Sequence, residues 1–337
     1  MKILYSAGNR SGADIQLFRF LKYYSGDIKI AAYVKSSQSL THVDWTLDAL
    51  DNDLVVKTYS YLTFGHKQAP PVSTEELKIL IQDVKEYAPD LIICDMEPIM
   101  SHIAKTLNIR LWYCSPIHLQ DGVLWEKGQK RYAASMENIR IYLSRMPEAE
   151  RILVYSPFCD VVNRPKLREK YEWVSPYYFQ VPHAGQEENV AIINDDSRIS
   201  ELSRLLNCLY SFQLRLFSRF SHNLSNIDSA SISDEESCKE ILKEGGWLFT
   251  TGETSFVADA FYNGIKICIS PNLKDPETLL NAMMLRIYKI GDDVAQIERM
   301  KSFAVEEMVK SISNKNNRQD YININGHKKL HELIGEI

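Results

Sequence analysis

The sequence predicts an α/β chain of two doubly wound parallel-sheet domains that face a central cleft. Three observations predict it. Strand and helix patterns alternate through the N-terminal half. The alternation restarts after a proline-bearing stretch near residue 176. The chain, at 337 residues, is long for one domain and suits two. The expected boundaries are 1–176, 177–315 and a final helical segment, 316–337, that packs back toward the first domain.

The elements follow in order. "MKILYSA" is an apolar strand stopping at Gly8, and "ADIQLFRFLKYYSG" spaces Leu17, Phe18 and Leu21 as a helix does. "IKIAAYV" and "DLVVKTY" are the next strands. "STEELKILIQDVKEYAPD" is the clearest helix: Ser73 and Glu76 suit a capping box, Leu77, Leu80, Ile81 and Val84 make one stripe, and Pro89 closes it. "DLIICD" is a buried strand, "PIMSHIAKTLN" a helix, and "RLWYCSP" and "RILVYSP" are strands. "YEWVSPYYFQVPHAGQEEN" has little periodicity and reads as a crossover. Beyond it, "VAIIN" is a strand, "SRISELSRLLNCL" a helix, and "GWLFTTG" and "IKICISP" are strands. "SNIDSASISDEES" reads as a surface loop entering a helix, and the tail from Asp292 as helical with an interruption at "SNKNNRQDYININGH".

Composition narrows the classes. Hydrophobic residues make up 45% and charged residues 25%, which suits a packed globular core. A net charge of -5 gives no global pull toward nucleic acid or an anionic membrane. The six cysteines are scattered without a C-x-x-C pair, and three lie in apolar runs. That usage suggests a reducing, cytoplasmic compartment. No apolar run reaches the ~20 residues a spanning helix needs, and no leader is evident.

Ligands of such sheets bind beyond the carboxyl ends of the strands, so the polar residues there are the candidates. After the first strand comes "SAGNRSGAD": Gly8 and Gly12 permit tight turning, and Ser11, Gly12 and Asp14 lie in the turn. Its spacing is neither G-x-G-x-x-G nor a P-loop. Asp14 either complements the helix dipole or acts as a general base. After "LIIC" come Asp95 and Glu97, which serve as helix caps or as site residues. His118 follows the next strand.

The richest stretch is "LFTTGETSFVADAFYNGIKICISPNLKDPETLLNA". Thr250, Thr251, Gly252, Glu253, Thr254 and Ser255 lie between a strand and a helix, where free amides and hydroxyls hold anions. Asp259 is one turn into the helix and Gly264 suits its C-terminal cap. Asp275, Glu277 and Thr278 read as the next loop, with Asn281-Ala282 opening a helix.

This string resembles the donor-binding signature of two-domain GT-B glycosyltransferases, nearest the MurG-like and UDP-glycosyltransferase-like groups. Their pattern runs Thr-x-Gly-Gly-x-x-Ser/Thr-x-x-Glu-Ala, a glycine, an apolar strand, Pro, a Glu-Gln pair and Asn-Ala. "PDLIICDMEP" is similar to an Asp-Phe-Glu-Pro segment in an uncharacterised branch of the superfamily, and "WVSPYYF" to the interdomain crossover. Together these cover most of the chain in order. The chain departs from the pattern at four places. Ala13 follows Gly12 where the family commonly has a catalytic His, Asp259 replaces Glu, Glu253 replaces Gly, and Thr278 replaces Gln.

The resemblance implies two Rossmann-like domains and a metal-independent, inverting hexosyltransferase, with a nucleotide-sugar, most simply a UDP-sugar, as co-substrate and no other cofactor. It implies a donor site of Thr251, Gly252, Glu253, Thr254, Ser255, Asp259, Glu277 and Thr278. Asp14 or Asp95 would be the base, with Ser11, Gly12, Glu97 and His118 on the acceptor side. The alternatives are a nucleotide-sugar epimerase and a non-catalytic nucleotide-sugar binder. A nicotinamide-dependent oxidoreductase is disfavoured by the absent glycine fingerprint. "EKGQKRY" and "NRPKLREKYEW" interleave basic and aromatic residues. They are solvated helix faces or a surface for an acceptor such as hydroxymethylated DNA, a glycan or an anionic lipid.

Overall fold

The computed structural model describes residues 1–7, 29–34, 55–58, 74–95, 98–121, 137, 140–141, 143–158, 171–174, 176, 178, 181, 190–194, 213–218, 228–231, 235–244, 246–271, 275–288, 291–293 and 326–337. The chain divides into two compact units, Met1–Tyr177 with Ile324–Ile337, and Tyr178–Asn323.

The first unit is built on seven parallel strands, β1 (Lys2–Ala7), β2 (Lys29–Val34), β3 (Val55–Thr58), β4 (Leu91–Asp95), β5 (Arg110–Ser115), β6 (Arg151–Tyr155) and β7 (Tyr171–Val174), in the order β3-β2-β1-β4-β5-β6-β7. "LIICD" is buried along its whole length, as a strand covered on both faces must be. Helices α1 (Thr74–Tyr87) and α2 (Pro98–Leu107) cover one face. Leu80 and Val84 of α1 and Met100, Ile103 and Ala104 of α2 pack on Leu4, Ile92, Cys94, Leu111 and Tyr113. Helix α1 ends where the stripe does: Ala88 takes φ 49° with its amide on the Val84 carbonyl, and Pro89 cannot continue the helix.

The opposite face is covered from the far end of the sequence. The C-terminal helix Gly326–Gly335 brings Leu330, Leu333 and Ile334 onto Ile3, Tyr5, Leu91, Ile93, Trp112, Cys114, Leu153, Tyr155 and Val174. Arg151 adds ion pairs to Glu336 at 2.7 Å and to Glu172 at 2.6 Å, and lies 5.3 Å from the Trp112 ring centroid. These charges are partly exposed and contribute little beside the apolar contact.

The second unit has six parallel strands, β8 (Val190–Asn194), β9 (Gln213–Ser218), β10 (Asp228–Ser231), β11 (Trp247–Thr250), β12 (Lys266–Ile269) and β13 (Gly291–Asp293), in the order β10-β9-β8-β11-β12-β13. Its helices among the described residues are α3 (Glu235–Glu244), α4 (Thr254–Tyr262) and α5 (Pro276–Tyr288); the C-terminal helix of the first unit is α6.

Several local expectations are corrected. Tyr171–Val174, expected in a crossover, is edge strand β7. Asp228–Ser231, expected in a loop, is edge strand β10. Gly291–Asp293 is edge strand β13 rather than the start of a helical tail. These segments have little pattern of their own and become strands by laddering onto a neighbour. The segments 13–26 and 197–209, Ser73 and most of both basic-aromatic stretches lie outside the described residues.

Because α6 packs on β1 and on β4 to β7 of the first sheet, Leu333→Ala, which empties a site only 1% exposed, is expected to lower stability by about 3 kcal/mol. A denaturant titration reads this as a lowered midpoint with an unchanged slope.

Candidate functional site

Both sheets reverse their winding at a defined place. In the first unit β1 lies between β2 and β4, so the switch point is the β1/β4 crevice, where Ala7 pairs with Asp95. In the second it is the β8/β11 crevice, where Asn194 pairs with Thr250. The carboxyl ends flanking a switch point are where ligands of such sheets bind. Asp95 and the Thr250–Ser255 turn therefore occupy the corresponding position in each unit.

The turn of the second unit starts with Thr250, whose Oγ1 accepts the Gly252 amide at 3.1 Å. Gly252 has φ +103°, and a Cβ there would lie 2.7 Å from Ile269 Cγ2 and 3.3 Å from the Thr278 carbonyl oxygen. Only glycine suits both the dihedral and the approach of α5. Helix α4 then begins. Its N-cap residue Glu253 makes no side-chain capping bond, so the first-turn amides need other partners. Glu277 supplies one: its Oε1 accepts the Thr254 N–H at 2.8 Å. The Asn281 Nδ2 group donates to the Gly252 carbonyl at 2.8 Å and to Thr254 Oγ1 at 3.0 Å. The far end of α4 closes with Gly264 at φ 73°, Gly264 N–H on the Phe261 carbonyl and Ile265 N–H on the Ala260 carbonyl. This is a Schellman closure, as the glycine suggested.

Almost all of this is out of solvent. Gly252, Thr254, Ser255, Asp259, Glu277, Thr278 and Asn281 are buried, and Thr251 and Glu253 half-buried. Ser255 Oγ and Asn281 Oδ1 are buried with no hydrogen-bond partner among the described residues. Buried polar atoms of this kind are uncommon in proteins.

Three expectations change. Glu277 and Thr278 lie in the first turn of α5 and not on a loop; Asn281-Ala282 lies in its middle. Thr278 Oγ1 donates to the Asp275 carbonyl at 3.1 Å, and Asp275 Oδ1 accepts the Glu277 amide at 2.9 Å, so this segment caps its own helix. The amides of Gly252 and Thr254, expected to face an anion, are committed within the protein. The clamp made by Asn281 was missed. Its signal was a single amide inside "TLLNAMML", since a buried Asn demands partners.

In the first unit Asp95 is 2% exposed at the end of β4. By strand alternation it shares the face of Leu91 and Ile93, the one that α6 covers. His118 lies in the 3-10 turn Pro116–Asp121, stacked on Tyr113 at 5.4 Å and edge-on to Tyr171 at 6.4 Å. Burial pushes its pKa down to about 4. It is a neutral packed ring at pH 7 and poorly matched to proton transfer there. Ser11, Gly12, Asp14 and Glu97 lie outside the described residues. No helix among the described residues is long and apolar enough to cross a membrane.

Two measurements check these assignments. Gly252→Ala is expected to destabilise the protein by more than about 1 kcal/mol, through the strained φ and the Ile269 contact, and calorimetry would show it as a lower Tm. His118 keeps a folded pKa below its ordinary 6.5, so the unfolded chain takes up that proton first as pH falls. Its contribution to stability is complete above pH 6.5 and is lost toward pH 4, by about 3 kcal/mol. His118→Gln is expected to flatten the pH dependence of unfolding across that window.

No protein-family model and no curated protein matches the sequence. Solved structures do. A UDP-glucosyltransferase from Polygonum tinctorium capable of glucosylating indoxyl matches with TM-score 0.68 at 11% identity, over 99% of this chain and 98% of that one. MurG of Acinetobacter baumannii matches with TM-score 0.64 at 10% identity, over 100% and 99%. The UDP-GlcNAc 2-epimerase from Neisseria meningitidis, bound to UDP-GlcNAc, matches with TM-score 0.55 at 12% identity, over 100% of both chains. At such identities the likeness speaks of fold alone, and the chain has the GT-B fold, matched by structures that cover nearly all of it.

Proposed function

We propose that the protein is a glycosyltransferase that moves a sugar from a nucleotide-sugar, a UDP-sugar in the simplest case, to an acceptor hydroxyl. One observation carries the reading. On a GT-B fold, the switch point of the second sheet bears a glycine turn, a helix N-terminus, and the carboxylates of Asp259 and Glu277 together. The fold's matches include enzymes described as a UDP-glucosyltransferase and as bound to UDP-GlcNAc.

In this reading the second unit holds the donor. Its diphosphate lies over the Gly252–Ser255 turn, where the helix dipole favours the leaving charge. Asp259 holds the ribose and Glu277 the sugar hydroxyls. The first unit takes the acceptor. Asp14 or Asp95 removes the proton of its hydroxyl as that oxygen attacks the anomeric carbon, and the nucleoside diphosphate leaves from the opposite face with inversion. Asp95 stands at the switch point of its own sheet, which favours it as the base or as the group that orients the base. With the Gly252 and Thr254 amides held by Thr250 and Glu277, the dipole of α4 takes the place of a metal ion at the diphosphate. The acceptor is a hydroxyl on a glycan, a lipid or a hydroxymethylated DNA base.

The second reading is a nucleotide-sugar epimerase, favoured by the match to the epimerase. An epimerase needs no acceptor, so acceptor dependence separates the two.

The test is a panel of UDP-, GDP- and dTDP-sugars, followed by thermal unfolding and by nucleotide release with and without each acceptor class. One nucleotide-sugar is expected to stabilise the protein by about 2.7 kcal/mol at a concentration about 100 times its Kd. Asp259→Ala is expected to abolish the shift. Release that rises only with an acceptor identifies a transferase. Sugar inversion on the donor without acceptor identifies the epimerase. No stabilisation by any member refutes the donor site.

A further inference from the structure

We propose that Glu277 is a resident carboxylate cap that competes with an incoming phosphate for the N-terminus of α4, and so sets the protein's affinity for nucleoside diphosphates. The inference rests on the nucleotide-sugar reading above and assigns Glu277 a task beyond contact with sugar hydroxyls.

The physical conflict lies in one buried turn. Helix α4 spans nine residues and its N-cap residue makes no side-chain cap bond. The carboxylate of Glu277, reaching from α5, takes the Thr254 N–H at 2.8 Å, with Thr254 1% and Glu277 2% exposed. A carboxylate at a helix N-terminus is stabilised by the same partial positive charge and the same amides that attract phosphate. Both anions cannot hold that end without repulsion in a setting that water screens poorly.

The neighbouring unpaired atoms point the same way. The Asn281 amide is anchored to the Gly252 carbonyl and Thr254 Oγ1, which fixes its Oδ1 beside the turn, and that Oδ1 is fully buried without a partner among the described residues. An amide oxygen only accepts. The turn therefore presents two acceptors, Glu277 and Asn281 Oδ1, and one hydroxyl, Ser255 Oγ, which is also buried without a partner among the described residues. That set suits a ligand hydroxyl, which donates, better than a phosphate, which only accepts. A diphosphate must displace the Glu277 carboxylate or bind against its charge.

The experiment is calorimetric titration of the full chain with uridine diphosphate and with uridine as the uncharged reference, for wild type and Glu277→Gln. The glutamine carbonyl can still accept the Thr254 amide, so the cap persists while the charge goes. Glu277→Gln is expected to bind uridine diphosphate about tenfold more tightly and uridine unchanged. In wild type, the diphosphate is expected to bind within about tenfold of uridine. Diphosphate binding that stays level or weakens relative to uridine in Glu277→Gln overturns the proposal. So does a wild type in which the diphosphate group already adds more than about a hundredfold. Should Glu277→Gln not fold, as judged by thermal unfolding, the wild-type ratio decides independently. Binding of neither ligand to any of these proteins overturns the nucleotide-sugar reading itself. Tight, charge-independent diphosphate binding overturns only the role given to Glu277.

Discussion

A helix that begins inside a protein must find partners for its first amides, and the second unit is organised around that need at Thr254. The N-cap side chain makes no such bond, so a side chain from 23 residues later does. Seating Glu277 there requires α5 to approach the turn closely. Between β12 and α5 there is no room for a Cβ at Gly252, which would lie 2.7 Å from Ile269 Cγ2 and 3.3 Å from the Thr278 carbonyl oxygen. Asn281 then ties the turn's carbonyl and a hydroxyl to α5 from the middle of that helix. Glycine, carboxylate and amide are thus three parts of one solution, and each loses its purpose without the others.

The first unit meets a different constraint with a similar plan. Its sheet also reverses its winding at its first strand, and an acidic residue, Asp95, ends β4 beside Ala7 at that crevice. Yet β4 and β5 need cover on both faces, and the segment between β1 and β7 described here supplies α1 and α2 on one. The other is closed by α6, whose Leu330, Leu333 and Ile334 arrive after the whole second unit has been traversed. The first core is completed only by the last residues of the chain. His118 belongs to this framework as a packed neutral ring between Tyr113 and Tyr171.

Most of the central strands were legible because they are buried on both faces and must be apolar throughout. "LIICD" and "KICIS" leave no other reading. Helix α1 was legible through its Leu80–Val84 stripe and the Pro89 stop. Of the four strands that escaped, β7, β10 and β13 lie at sheet edges, while β9, whose "QLRLFS" alternates apolar and polar residues, lies inside the second sheet. An edge strand is held by one ladder and half exposed, so its sequence is free to look like a loop. "DSAS" and "GDD" are strands because of what lies beside them.

By itself, the sequence determined the parallel α/β class, most of the central strands, the glycine turn and the polar residues that gather near it, because each is enforced locally by period, burial or backbone freedom. The tertiary structure decided which groups those residues address. Glu277 and Thr278 read as loop residues awaiting a ligand. The fold makes them the first turn of α5, with Glu277 on the Thr254 amide and Thr278 on its own helix. A hydrogen bond across 23 residues has no signature in spacing. It exists because two helices pack, and packing is a property of the folded chain.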